Sequence, residues 1–410
     1  MKEELHRIVL SNGIRLVYKQ VEHTQIVHCG VFLDVGSRDE DDSTQGITHF
    51  WEHLAFKGTR KRNSYQIISS IDSVGGELNA YTDKEKVVFF ASVRDQYFER
   101  AVDVLADITF HSVFPENEIE KERGVILQEM AMYLDNPDDS LQDEFESVIY
   151  GKHPMGMNIL GRTETVSSFS RRDFNEFFKQ RLDTKRIVFS CVGNLPPLQV
   201  EKAFRNYFKV KPSQRTANRK KSGKYKPLNK ELLRPVKQAK CAIGRPAYPI
   251  HHENRIQFHL LVNMLGGPGM NSRLNMALRE KHGYVYSIDA HYISYTDTGM
   301  FAVFFGTKPN KLDRCIALVQ QELDRFCDKT LTARQLNAGK EQLKGQMAMA
   351  EENNQTMMML LGRSTLDLNR VPSLEEIFEI INETSAAKLR RVAEEMFASN
   401  GLSFLKMIPK

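Results

Sequence analysis

Ile47-Thr48-His49-Phe50-Trp51-Glu52-His53-Leu54-Ala55-Phe56 is the stretch from which this chain is best read. Ile47, Phe50, Trp51 and Leu54 fall at i, i+3, i+4 and i+7, the spacing of one buried helical face. Ser43 and Thr44 offer N-caps and Gly58 a C-terminal stop, so a helical segment is predicted around residues 44–57. On that helix His49 and His53 stand one turn apart, ~40° in direction and ~6 Å in rise. Two imidazoles so placed can grip one metal ion. Glu52, on the neighbouring strip, can contact a water on that ion without being a ligand. The order His-x-x-Glu-His is the inverted form of the zinc-peptidase helix. The competing reading is a pair of histidines satisfied by backbone carbonyls on a half-buried helix.

A catalytic zinc takes three protein ligands and leaves a fourth position open. The third is sought in a helix predicted from about Asn117 to Leu134, where Glu122 and Glu129 lie seven apart and share a face near Val125 and Ile126. A carboxylate flanked by Leu127, Met130 and Met132 needs a reason to be buried, and a metal supplies one. A solvated helix carboxylate is the alternative for each.

Outward from these segments, a length of 410 residues implies two or three domains, and 41% hydrophobic with 27% charged residues describes a soluble globular protein. No uncharged apolar run approaches the ~18 residues of a membrane-spanning helix. Met1-Lys2-Glu3-Glu4 is too acidic and polar for a signal or transit peptide, and a cytoplasmic location is expected. Cys29, Cys191, Cys241, Cys315 and Cys327 are odd in number and scattered, which reads as reduced thiols. The net charge of +5 owes much to Arg215–Lys226. With Tyr225 its single aromatic, that run reads as a solvated linker, and no nucleic-acid partner is expected.

The linker, residues 211–234, divides the chain into 1–210 and 235–410. The halves rhyme. The strand-like run Val87–Val93 and the helical pattern Tyr97–Ile108 follow the His helix. Met300–Phe305 and the pattern Lys311–Phe326 follow a helical segment at 271–281. Both halves mix strands with one-faced helices, which predicts an α+β fold of mainly antiparallel sheets covered by helices. The last third, from Thr332, is mostly helical in pattern, and its methionine-rich stretch Met347–Met359 reads as core packing. His251-His252 lack a third ligand and predict no second metal site.

At this point the sequence resembles the pitrilysin–insulysin metallopeptidases, closest to the smaller branch that includes the mitochondrial processing peptidase and its bacterial relatives. The likeness covers nearly the whole chain. The family signature His-x-x-Glu-His-Leu-x-Phe-Lys-Gly-Thr is matched by HFWEHLAFKGT at residues 49–59. The family's third ligand falls on Glu129, and its supporting glutamate on Glu122. Gly75-Gly76-Glu77-Leu78-Asn79-Ala80-Tyr81-Thr82 is similar to the edge strand to which the family adds an extended substrate, with Asn79 and Ala80 at the contact positions. Arg279 and Tyr286 match the family's substrate-binding Arg–Tyr pair, and Gly266-Gly267-Pro268-Gly269 resembles a loop implicated in substrate capture.

The resemblance implies two similar αβ half-units forming a clamshell chamber, a zinc-bearing half at 1–210 and a half at 235–410 carrying Arg279 and Tyr286. It implies one Zn²⁺ per chain on His49, His53 and Glu129, with Glu52 as general base, Glu122 supporting the site, and Arg279 and Tyr286 stabilising the oxyanion. The expected activity is endopeptidase cleavage of extended oligopeptides or unfolded segments. A homodimer is expected, with no membrane partner. An inert scaffold or partner subunit is the alternative; such relatives have usually lost zinc residues, whereas this chain keeps them.

Overall fold

The computed structural model describes residues 5–216 and 218–410, and they form two compact units. The first unit is built on a six-stranded sheet. Its strands are β1 (Leu5–Val9), β2 (Arg15–Gln20), β3 (Ile26–Leu33), β4 (Glu77–Thr82), β5 (Val87–Arg94) and β6 (Ile187–Gly193). They lie in the order β1-β2-β6-β3-β5-β4. The second unit has a five-stranded sheet of β7 (Asn229–Arg234), β8 (Ala239–Pro246), β9 (Val285–Ser294), β10 (Gly299–Thr307) and β11 (Ser403–Pro409), ordered β7-β11-β8-β10-β9. Without β1, both sheets run first, last, second, fourth, third in chain order. In both, the first and last strands pair in parallel and every other pair is antiparallel. Shared topology of this kind is much stronger evidence of duplication than the rhyme in sequence. The α+β fold of two similar halves is as the sequence implied.

Both faces of each sheet are covered, which explains the continuous apolar runs. In β6, Ile187, Phe189 and Cys191 face one core while Val188 and Val192 face another, and all seven residues are buried. The first core of this unit also takes the helices Ile47–Ala55, Ser64–Asp72 and Phe98–Phe110. The opposite face receives the helix Asn354–Leu368 through Met357, Met358 and Leu361. Gly362 permits this approach, because a Cβ there would stand 2.3 Å from the Phe32 ring. Met357 and Met358 thus pack as core, whereas Met349 is exposed.

The units are not contiguous stretches. The first takes residues 350–371 from late in the chain, and the second takes residues 132–156 from early in it. In the second unit the helix Pro137–Tyr150 covers β8 and β11 with Leu141, Phe145, Val148 and Ile149. These strands correspond to β3 and β6, which Asn354–Leu368 covers in the first unit. Each half of the sequence therefore lends one helix to the other half's sheet, which the expected division at 211–234 did not anticipate.

The expected basic linker also differs in detail. Residues 229–234 are strand β7, whose alternating burial is masked in sequence by Lys230 and Arg234, both paired with Glu144. Arg219 is not solvated. Its guanidinium lies 2.7 Å from Asp34 and 2.7 Å from Asp39, and it donates to the Glu85 carbonyl at 2.8 Å. The side chains of Asp34, Asp39 and Glu85 are no more than 2% exposed, so the arginine neutralises carboxylates that water cannot reach. Among the described residues no helix is long and apolar enough to cross a membrane, and all five cysteines are free.

Replacing Arg219 by Ala is expected to destabilise the first unit by roughly 3–5 kcal/mol, the cost of stranding buried carboxylates. Urea unfolding followed by Trp51 fluorescence measures it. Burial alone would raise the Asp34 carboxyl, but Arg219 and Arg186 outweigh burial and hold it below the ordinary 3.8. The resulting stabilisation is complete above that value and is lost as pH falls through the lower folded one. Midpoints measured from pH 6 downward should therefore drop in the native chain more than in Arg219→Ala.

Candidate metal centre

The helix Ile47–Ala55 buries Ile47, Phe50, Trp51 and Leu54 completely or nearly so. Its start differs from expectation. Gly46, at φ 93°, is the N-cap, while Ser43 and Thr44 are engaged with Asp41. The first turn is served by Glu40, whose carboxylate accepts the Gly46 N–H at 2.8 Å and the Thr48 N–H at 2.9 Å. A carboxylate here satisfies otherwise unpaired amides and complements the helix dipole. Burial pushes its carboxyl up to about 8, against the pull of those amides. Glu40 shares the segment 36–40 with Asp39, so the Arg219 network anchors the loop that holds this helix end.

His49 and His53 project from the same face, their ring centroids 4.7 Å apart. The helix Glu116–Asp135 brings Glu129 against both. Glu129 Oε1 lies 3.8 Å from His49 Nε2, and Oε2 lies 3.5 Å from His53 Nε2. These are long for hydrogen bonds. They approach the spacing of donor atoms around one tetrahedral ion with bonds of about 2.0–2.2 Å, roughly 3.4 Å. Among the described residues this trio is the one group of three or more such side chains whose ligand atoms lie within 4.8 Å of one another. Two imidazoles and one carboxylate are a donor set suited to zinc.

Charge distribution within the trio is uneven. Burial, with His53 nearby, lowers His49 to about 4, so its imidazole is neutral. Burial would also lower His53, but the adjacent Glu122 and Glu129 carboxylates outweigh it and raise His53 to about 9. Contact with His53 holds Glu129 below the ordinary glutamate value. Glu122 lies behind His53. Its Oε2 is 3.2 Å from His53 Nδ1 and its Oε1 is 2.7 Å from Lys57 Nζ. His49 Nδ1, by contrast, has no hydrogen-bond partner among the described residues.

Glu52 does not join the trio. Burial raises its carboxyl, and the Thr82 hydroxyl donates to Oε2, leaving Oε1 for another partner. Thr82 ends β4, the exposed edge of the first sheet, which also carries Asn79 and Ala80. The Ala80 amide donates to Asn79 Oδ1 at 2.8 Å, so this N–H is capped by a side chain rather than by a further strand.

Arg279 and Tyr286 belong to the second unit. Arg279 lies in a π-helical turn, Asn275–Glu280, where a helix had been expected at 271–281. Tyr286 is on β9, the edge of the second sheet, with its side chain exposed, and the guanidinium is 6.0 Å from its ring centroid. His252 stacks on Tyr248 and belongs to no metal cluster among the described residues.

Lys57 and Thr82 went unassigned in the sequence although both stand inside the quoted motifs, since a lone lysine or threonine signals no chemistry without its partner. Glu40 left no local signal at all.

Residues 15–163 match the family model of insulinase, peptidase family M16, and residues 168–343 match that of the M16 inactive domain. YmxG of Bacillus subtilis, named an uncharacterized zinc protease, is 34% identical over 403 residues, covering 97% of this chain and 96% of its own. An uncharacterized zinc protease of Rickettsia felis is 31% identical, with 97% and 96% covered. Among solved structures, a peptidase M16 inactive domain from Pseudomonas fluorescens superposes with a TM-score of 0.92 at 16% identity, over 99% of this chain and 98% of that one. A protease from Helicobacter pylori gives 0.91 at 20%, over 99% and 100%. These two likenesses concern the fold.

Glu129→Gln is expected to lower zinc retained after dialysis from about one ion per chain to well under half, since the neutral amide is a weak zinc ligand. Elemental analysis of the two purified proteins measures it.

Proposed function

The chain belongs to the insulinase family of peptidases, M16, and from that premise we propose that it is a zinc-dependent endopeptidase acting on extended oligopeptides or unfolded segments. The observation that carries this reading is the convergence of His49, His53 and Glu129, with Glu52 beside them and tied to an edge strand. The relatives' names support a zinc protease. The inactive-domain match bears on residues 168–343 only, whereas the whole metal group lies within 15–163, which favours an active chain over an inert scaffold.

His49, His53 and Glu129 would hold one zinc ion. Bound there, zinc supplies Lewis acidity toward a peptide carbonyl and toward water, whose pKa it lowers from 15.7 to roughly 7. Glu52 accepts a proton from the attacking water at its free Oε1 and delivers it to the leaving amine. Its partly desolvated position suits that role, because a carboxylate whose pKa is raised is a stronger base toward the attacking water. Thr82 fixes the other oxygen, so general base and edge strand move together. β4 would take the substrate as an added strand through main-chain hydrogen bonds at Asn79 and Ala80, selecting extended backbone over side-chain sequence. Glu122 supports His53 from behind. Arg279 and Tyr286 keep the role the resemblance implies, donating to a substrate carbonyl as negative charge develops on its oxygen. A homodimer in the cytoplasm completes this reading, and sedimentation velocity tests the dimer.

Glu52→Gln should retain zinc yet turn over a quenched oligopeptide at least ~100-fold more slowly. Stopped-time fluorescence assays with parallel metal analysis check this. Turnover comparable to the native chain would remove Glu52 from its role. Cleavage of a peptide library read by mass spectrometry defines the substrate preference.

A further inference from the structure

We propose that Lys57 is a positioning residue of the metal centre, which decides through Glu122 that Glu129, and not Glu122, faces the ion. The inference rests on the zinc reading above.

Glu122 and Glu129 come from one face of the helix Glu116–Asp135, and both approach His53. Either carboxylate is a sound zinc ligand by type, so chemistry alone does not choose between them. Their surroundings do. Glu129 faces the two imidazole Nε2 atoms, on the side where an ion would sit. The oxygens of Glu122 are divided between two partners, Lys57 Nζ at 2.7 Å and His53 Nδ1 at 3.2 Å. The ammonium draws Glu122 to the rear of the ring, where it can only accept the Nδ1 proton. With Nδ1 held toward Glu122, Nε2 is the nitrogen left to face an ion beside Glu129.

Lys57 is well placed for this task. It follows the His helix by two residues, and its backbone N–H donates to the Leu54 carbonyl at 3.0 Å. A cation just beyond a helix C-terminus is favoured by the dipole. Its side chain is 25% exposed, so the ion pair is partly shielded from solvent screening. His49 has no comparable support, since its Nδ1 finds no partner among the described residues. Orientation of the imidazole pair therefore depends on the Lys57–Glu122–His53 chain.

The test is zinc affinity of the full chain, by competition with a chromophoric chelator, for the native protein, Lys57→Met, Lys57→Arg, Glu122→Gln and the Met/Gln double variant. Lys57→Met is expected to weaken binding about 10- to 100-fold, the range for losing an outer partner of a metal ligand. Lys57→Arg should stay within about threefold, since it keeps the charge. In the Glu122→Gln background the Lys57 substitution should cost less than about twofold, because both act along one path. Native affinity in Lys57→Met would overturn the inference, as would penalties that simply multiply. Lys57→Gln provides the same comparison if the methionine variant does not fold, with circular dichroism checking each protein. A native chain that binds no zinc would instead overturn the zinc reading itself.

Discussion

Two imidazoles one helical turn apart cannot enclose an ion alone, and a third donor must arrive from elsewhere in the chain. Glu129 meets that need at 3.5 and 3.8 Å from the two rings. Three ionisable groups crowded together in a partly desolvated place repel or neutralise one another unless something shares their charge. Here the crowding resolves into one neutral imidazole, one whose basicity is raised, and one carboxylate whose acidity is raised. A divalent cation would replace that internal compromise with a single partner common to all three.

Much of the first unit can be understood as holding this arrangement still. The Arg219 network pins the segment 36–40, and Glu40 from the same segment secures the start of the His helix. From the other side, Thr82 joins Glu52 to the edge of the sheet. The elements that carry the chemistry are thus fixed at their ends by polar contacts and along their length by the apolar face of Ile47, Phe50, Trp51 and Leu54. Polar contacts of this kind supply direction, which apolar packing supplies poorly.

The His helix was legible because its evidence is local, with four apolar residues at helical spacing and two histidines on the adjoining strip. The alternation of strand and helix was legible for the same reason, and β5 and β10 fall where apolar runs predicted them. What escaped notice depends on contacts distant in sequence. Arg219 looks like one more charge in a basic run until Asp34, Asp39 and Glu85 surround it. β7 looks like linker because half its residues are charged. The choice between Glu122 and Glu129 could not be made from periodicity, since seven residues return to the same face. The helix exchange left no trace either, because an amphipathic pattern says that a helix has a buried side without saying which sheet will cover it.

That exchange bears on how the protein comes into being. On the ribosome, β1 to β6 emerge as a set, yet the face of Val17, Phe32, Val88 and Val188 stays bare until residues 354–368 have been made. Meanwhile the helix Pro137–Tyr150 waits for strands not yet synthesised. Neither half can mature as a free-standing nascent domain, so vectorial folding ends in a single late consolidation near the close of translation. Truncation anywhere before residue 368 leaves sticky surface on the first sheet, which makes incomplete chains natural clients for holdase chaperones and proteases.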